Sequence, residues 1–288
     1  MTVRDESELR RRGDRIVYLA TVLVNLALFA LAIFLIEHGS AWLDQYPRLA
    51  KRAQDVRALA LAVLAAPPAL VFLRHRRRAN AEGNGVRISA RQLPELYDTL
   101  VRYCERLGHQ PIPALYIADK ANGISEAFAA WHHQFIVIRP VYFIAPLEEV
   151  RPIYEFEIGR ELGRIRLGHT RWWEELLVAY VVKLPLLRNP LLHSRTYACD
   201  RYAAWLAPDS VRGLTVYASG RPLYKLVDVP AFVDQAESTR GFWPWLSNLT
   251  RSEPHVTFRL RALLDAGLYT RDAAPASNVA SIPRRASA

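Results

Sequence analysis

The chain opens on one long apolar block and then passes through shorter blocks whose hydrophobic spacing becomes periodic. Ile16–Ile36 reads IVYLATVLVNLALFALAIFLI, with Asn25 as its most polar member. At about 1.5 Å per residue such a helix covers roughly 31 Å, the thickness of a bilayer core. The run is longer than the apolar region of a secretory signal and no small-x-small cleavage site follows, so an uncleaved spanning helix is expected. A second run, Val56–Leu73, is shorter and holds Arg57 and the Pro67-Pro68 pair. Prolines are tolerated better in membrane helices than in soluble ones. The block Arg74-His75-Arg76-Arg77-Arg78 follows at once, as a cytoplasmic stop would. The two runs predict a transmembrane hairpin over residues 16–73, with spans at about 16–36 and 56–73; a soluble core helix is the alternative for the second.

After a polar linker over 79–90, Leu93–Leu107 places Leu93, Leu96, Tyr97, Leu100, Val101 and Cys104 at three- and four-residue steps, which predicts an amphipathic helix ended by Gly108. Pro111–Ala118 reads as a strand, and a turn is expected around Lys120–Gly123. Ala127–Ile138 reads as two strands meeting near His132-His133; adjacent histidines on a strand face opposite ways, so a hairpin tip is expected there rather than a chelating pair. Pro146-Leu-Glu-Glu has helix-start character, and that helix should run to about Leu167. A second helix is expected over Thr196–Leu206, ended by Pro208. Helix, short antiparallel sheet, then helices gives an α+β class with a mostly helical domain over 85–265. Glu174–Leu187 is too short to cross a bilayer; it either touches the membrane surface or closes the domain. Residues 272–288 form a Pro/Ser/Ala tail expected to be disordered.

Charge sharpens the topology. The 288-residue chain carries a net +10, and residues 1–78 hold thirteen Lys/Arg against seven Asp/Glu. Basic residues clustered around apolar segments set orientation or meet anionic lipid, and no nucleic-acid module accompanies them, so nucleic acid is not an expected partner. Arg4, Arg10, Arg11, Arg12 and Arg15 precede the first span and five Arg lie between 74 and 87. Both ends of the hairpin are therefore expected in the cytoplasm, with residues 1–15 as a basic N-terminus and the main domain on the same side. The loop between the spans holds Arg48, Lys51 and Arg52, with Trp42 and Tyr46 as interfacial anchors. Two cysteines, Cys104 and Cys199, are too few for a disulfide scaffold and fit a reducing compartment.

The chemistry concentrates in Gly159-Arg160-Glu161-Leu162-Gly163-Arg164, followed by Gly168-His169, and in Ser194-Arg195-Thr196-Tyr197-Ala198-Cys199-Asp200-Arg201. With the strand pair, Pro-Leu-Glu-Glu and the later segments from Gly220, Gly241 and Ser252, this order resembles the HtpX-like membrane zinc metallopeptidases, gluzincin-type relatives of the CAAX prenyl proteases. The resemblance covers roughly residues 85–265 and implies a gluzincin-like domain behind a membrane hairpin. It also implies that two His on the motif helix and a Glu on the next helix would bind zinc, with Glu161 at the general-base position. Here those three ligand positions are Arg160, Arg164 and Thr196. Asp200 stands at the position that supports the ligands from outside. The family's edge-strand motif reads Glu126-Ala127-Phe128-Ala129, its Asn replaced by Glu126.

A guanidinium has no lone pair to donate, and a Thr hydroxyl is a weak ligand beside a carboxylate. Without metal, Glu161 has no activated water to deprotonate. His169, His193, Cys199, Asp200 and His255 show no diagnostic spacing for a rebuilt site. No cofactor is expected; zinc belongs to the alternative. An ion-pair cluster is expected instead, with Glu157 meeting Arg160 and Glu161 meeting Arg164 at three-residue spacing; the alternative has both arginines reaching solvent from an opened cleft. The leading functional expectation is a zinc-less pseudopeptidase binding an unfolded or membrane-protein client by strand addition at the lipid bilayer. A divergent zinc endopeptidase and a purely structural membrane subunit are the alternatives.

Overall fold

The computed structural model of the chain describes residues 6–38, 53–119, 124–130, 132–140 and 146–270. Trp42, Tyr46, Arg48, Lys51, Arg52, the turn at Lys120–Gly123 and the tail over 272–288 lie outside the described residues. A short 3-10 turn, Glu6–Leu9, leads into helix α1, Arg12–Glu37. Among the described residues α1 is the one helix long and apolar enough to cross a membrane. Its apolar side chains point outward along its length, with Ile16, Leu23 and Leu31 each more than half exposed.

The second apolar run is divided. Helix α2, Ala53–Leu64, stops at Ala65, and α3, Ala66–Asn84, starts beside Pro67-Pro68. Proline lacks the N–H that would continue the ladder, which accounts for the break. α1 packs against α2, which among the described residues is not itself a candidate span. The basic block does not end the helix: α3 carries it onward to Asn84, so the first half of the expected linker is helical.

Strand β1 (Val86–Arg87) precedes the amphipathic helix α4 (Pro94–Leu107), which is capped by left-handed Gly108 as its pattern predicts. Strands β2 (Ala114–Ile117), β3 (Ser125–Ala130) and β4 (His133–Ile138) complete a four-stranded sheet in the order β1-β2-β4-β3. The sheet is mixed, which corrects the antiparallel expectation: β1–β2 and β3–β4 are antiparallel, but β2 runs parallel to β4 with Ala114 opposite Phe135. The hairpin β3–β4 enters the sheet as a unit with β4 inward, and that leaves β3 at the edge, with β4 as its one neighbour among the described residues.

Helix α5 spans Arg151–Arg166, starting later than Pro146 because residues 147–150 form a turn and Pro152 sits in the first helical turn. A short helix α6 (Trp172–Leu176) and a 3-10 turn (Val181–Lys183) follow, then α7 (Asn189–Leu206), α8 (Val216–Leu223), α9 (Val229–Ser238), α10 (Phe242–Thr250) and α11 (Val256–Asp265). One face of the sheet, with Leu115, Ile136 and Ile138, packs on α4 and α5 in the main core. The other face, with Tyr116, Phe128 and Phe135, packs under Ala81 of α3. The mostly helical α+β class stands.

The N-terminal segment is docked rather than free. Leu9 is buried in the main core. Glu6 forms a two-pronged pair with Arg166, at 2.7 and 3.0 Å, and accepts from the Tyr202 hydroxyl. Asp14 pairs with buried Arg201 and accepts from Ser194. The basic stretch at the start of α1 therefore uses its acids to clasp α5 and α7.

Candidate functional site

The site begins with two glycines. A Cβ at Gly163 would lie 2.5 Å from Cβ of Tyr202, and one at Gly159 would lie 3.0 Å from Cα of Ala203. Their absence lets α5 and α7 touch, so Arg160, Glu161 and Arg164 stand beside Thr196 and Asp200. α5 is buried nearly all round, which is why it has no hydrophobic periodicity.

At the three positions where the resemblance led zinc ligands to be expected, the side chains make other contacts. Arg160 is almost fully buried; its Nη1 donates to the Tyr217 hydroxyl at 2.8 Å and lies 3.7 Å from Glu157, while its Nε lies 3.5 Å from Asp200. Tyr217 in turn donates to Glu157 at 2.7 Å. Arg164 is about one-third exposed and rests its Nε 2.9 Å from Oε2 of Glu161, a charge contact without hydrogen-bond alignment. Thr196 is buried on α7 one turn before Asp200. Both pairs expected from the three-residue spacing are present.

Glu161 is completely buried. Ser125 Oγ lies 2.9 Å from Glu161 and 2.5 Å from Glu157. A serine hydroxyl has one proton to donate, so a proton carried by Glu157 would complete both contacts. Burial pushes Glu157 up, against the pull of Arg160 and of its hydrogen bonds from Ser125 and Tyr217. Asp200 is held by a partner that sequence reasoning missed: Arg259 of α11 donates both Nε and Nη2 to its two oxygens at 2.7 Å, with both side chains buried. Arg259 also sits over the Tyr217 ring at 4.4 Å. Burial opposes the charge on Arg160 and on Arg259, but the surrounding anions outweigh it and hold both guanidiniums protonated. Three carboxyls and three guanidiniums thus interlock around Tyr217 and Ser125.

These residues do not fit zinc. The two guanidiniums occupy the space and donate rather than accept, and Asp200 is spent on Arg259. Among the described residues, no group of three or more His, Cys, Asp or Glu is arranged to hold a metal ion. His193 bonds the Arg251 carbonyl at 2.8 Å and His255 lies 3.1 Å from Ser247 Oγ, which are structural roles. His169 places Nδ1 3.9 Å from Cys199 Sγ. Burial pushes the Cys199 thiol up to about 11, so it stays protonated and unreactive at neutral pH.

Above the cluster lies a cleft of about 920 Å³, with Ser125, Glu126 and Ala127 of β3 on its wall and Arg160, Arg164 and Tyr217 on its floor. Of the four edge-strand residues, Glu126 and Ala127 face it; Phe128 turns back to stack on Phe135 at 5.2 Å, and Ala129 is buried. The opposite wall comes from α3, whose Arg74 pairs with Glu175 at 3.0 Å and donates to the Thr170 carbonyl. Comparison with family models, curated proteins and solved structures finds no match to this chain.

Proposed function

We propose that this chain is a membrane-anchored, zinc-less pseudopeptidase of HtpX-like, gluzincin-type architecture, with its domain at the cytoplasmic face of a two-span anchor. Its cleft takes an extended segment of an unfolded or membrane-protein client. The observation that carries this reading is the combination on one cleft of an edge strand, β3, with a floor whose ligand positions are closed by ion pairs. An edge strand offers backbone groups for strand addition, and side-chain pockets beside it give preference. The floor cannot activate water by the family's route, so a bound segment would be held and not cut. The zinc-peptidase alternative finds no support at Arg160, Arg164 or Thr196. A purely structural role leaves the cleft without a purpose.

The test uses full-length protein purified in detergent, with a photo-crosslinking residue at Ala127 and reduced casein as the unfolded probe. Cross-linking is expected, with zinc far below one ion per chain and no cleavage. Stoichiometric zinc with chelator-sensitive cleavage that Glu161→Gln abolishes would overturn the reading in favour of an enzyme. Absence of the cross-link would leave the structural subunit. The triple change Arg160→His, Arg164→His, Thr196→Glu tests the architecture: it should take up zinc if the two helices are a gluzincin scaffold.

A further inference from the structure

Asn25 sits nine residues, about 14 Å, along α1 from Ile16, near the middle of the apolar run. It is 4% exposed, and its side chain is engaged by the globular part of the chain. Its Oδ1 accepts from Tyr180 N–H at 2.8 Å and Val181 N–H at 3.4 Å, and its Nδ2 donates to the Leu176 carbonyl at 3.4 Å. Phe29, one turn further, stacks on Tyr180. Where α1 crosses the bilayer, residues 176–182 therefore lie at bilayer depth beside it. Irregular backbone is tolerated there only when protein groups satisfy it or a cavity accepts it, and Asn25 supplies those groups. The exposed side chains that follow, Leu184, Leu186 and Leu187, are apolar.

The cleft shares this boundary. Leu73 of α3 and Val178 and Val182 line its upper wall. Cations line it beside them. Arg77 and Lys183 are exposed and have no ion-pair partner among the described residues. Arg195 is mostly buried, lies 3.5 Å from Glu174, and leaves its Nε and Nη2 without a hydrogen-bond acceptor. Arg77 stands just past the end of the second apolar run, the level at which lipid phosphates sit.

We propose that this cleft is a lateral binding site for an anionic phospholipid. The phosphate lies among Arg77, Lys183 and Arg195, and an acyl chain runs along Leu73, Val178 and Val182. A guanidinium fork matches phosphate oxygens, and basic pockets beside membrane helices take anionic headgroups. The proposal rests on α1 as a spanning helix and goes beyond the peptide reading, because it assigns a second ligand to the membrane side of the same cleft.

The probe is phosphatidylglycerol bearing a photoreactive acyl chain, added to delipidated full-length protein in detergent, with phosphatidylcholine carrying the same label as the control. One phosphatidylglycerol per chain should survive in native mass spectra, and its label should map to residues near Leu73 and Val178–Val182. The double variant Arg77→Gln/Lys183→Gln should fold normally, since both side chains are exposed and neither forms an ion pair among the described residues, and should lose about tenfold or more in retention. Arg195→Gln should weaken it further. Equal retention of the two lipids, an unaffected double variant, or a label confined to the outer face of α1 would overturn the proposal. Displacement by millimolar inorganic phosphate would overturn it too, assigning the cations to a soluble phosphate ester. Casein cross-linking at Ala127 is read on the same preparations, so failure of the lipid site and failure of the peptide reading register separately.

Discussion

The arginines beneath the cleft floor and those higher on its walls are the same residue type in opposite circumstances. Arg160 and Arg259 are almost fully buried, each within 4 Å of Asp200, and their donors are largely taken by Asp200, Glu157 and Tyr217. Arg77 is exposed without an ion-pair partner among the described residues, and Arg195 is held by a 3.5 Å contact to Glu174 with no aligned hydrogen bond. A buried charge is tolerable only when its partners are in place, so the first group is fixed into the fold. An exposed cation with unused donors beside a cavity costs little when removed and gains when an anion arrives; Arg195, mostly buried against Glu174, stands between the two. Position within one cleft thus separates arginines that hold the two helices together from arginines free to bind.

The comparison breaks most visibly at Arg259. Arg259→Ala leaves the wholly buried Asp200 with only the 3.5 Å contact to Arg160. Removing one member of a buried pair costs about 3–5 kcal/mol, so the thermal midpoint of the detergent-solubilised protein should fall sharply. An unchanged midpoint would show that the cluster does not brace the fold. Arg160→Ala comes next. Asp200 keeps Arg259, while Glu157 loses its charge partner and Tyr217 its donor, for about 2–3 kcal/mol. Arg164→Ala removes a poorly aligned contact from a side chain that is about one-third exposed, but it leaves the wholly buried Glu161 with only its Ser125 hydrogen bond, which should cost about 1–2 kcal/mol. Equal losses for the two would mean that burial does not distinguish them.

Much of this was legible in the chain, in proportion to how local each signal is. The apolar length of α1 and the three- and four-residue pattern of α4 are local properties, and both helices appear where the pattern puts them. The pairs Glu157–Arg160 and Glu161–Arg164 follow from spacing along one helix, so they too could be read. The partner of Asp200 could not. Arg259 lies on α11, dozens of residues away, and nothing near Asp200 names it. Parallel pairing of β2 with β4 is equally non-local, because short strands carry no register signal across an intervening hairpin. The acids Glu6 and Asp14 were hidden by the arginines around them, which a topological reading counts first. Asn25 did stand out as the polar member of an apolar run; what it holds, the backbone near Tyr180, required the fold. Ser125 stood next to the edge-strand motif, yet its bond to Glu161 spans from β3 to α5.

His169 sharpens the comparison on its most delicate side, because it stands on the cleft wall close to both kinds of arginine. Burial, then the Arg195, Arg164 and Arg10 charges, hold its imidazole well below its ordinary range; Cys199, protonated at neutral pH, is the remaining group against it. A base whose folded pKa is depressed stabilises the fold in its neutral form. That contribution is complete above the unfolded value near 6.5 and is lost as pH falls below it. The loss is at most about 1.4 kcal/mol for each pH unit. Between pH 7 and 5.5 the native protein should therefore lose stability with a slope that His169→Gln flattens, read as thermal midpoints across that range. If His169→Gln retained the full slope, the charge pressure on this wall of the cleft would have to act through some other group.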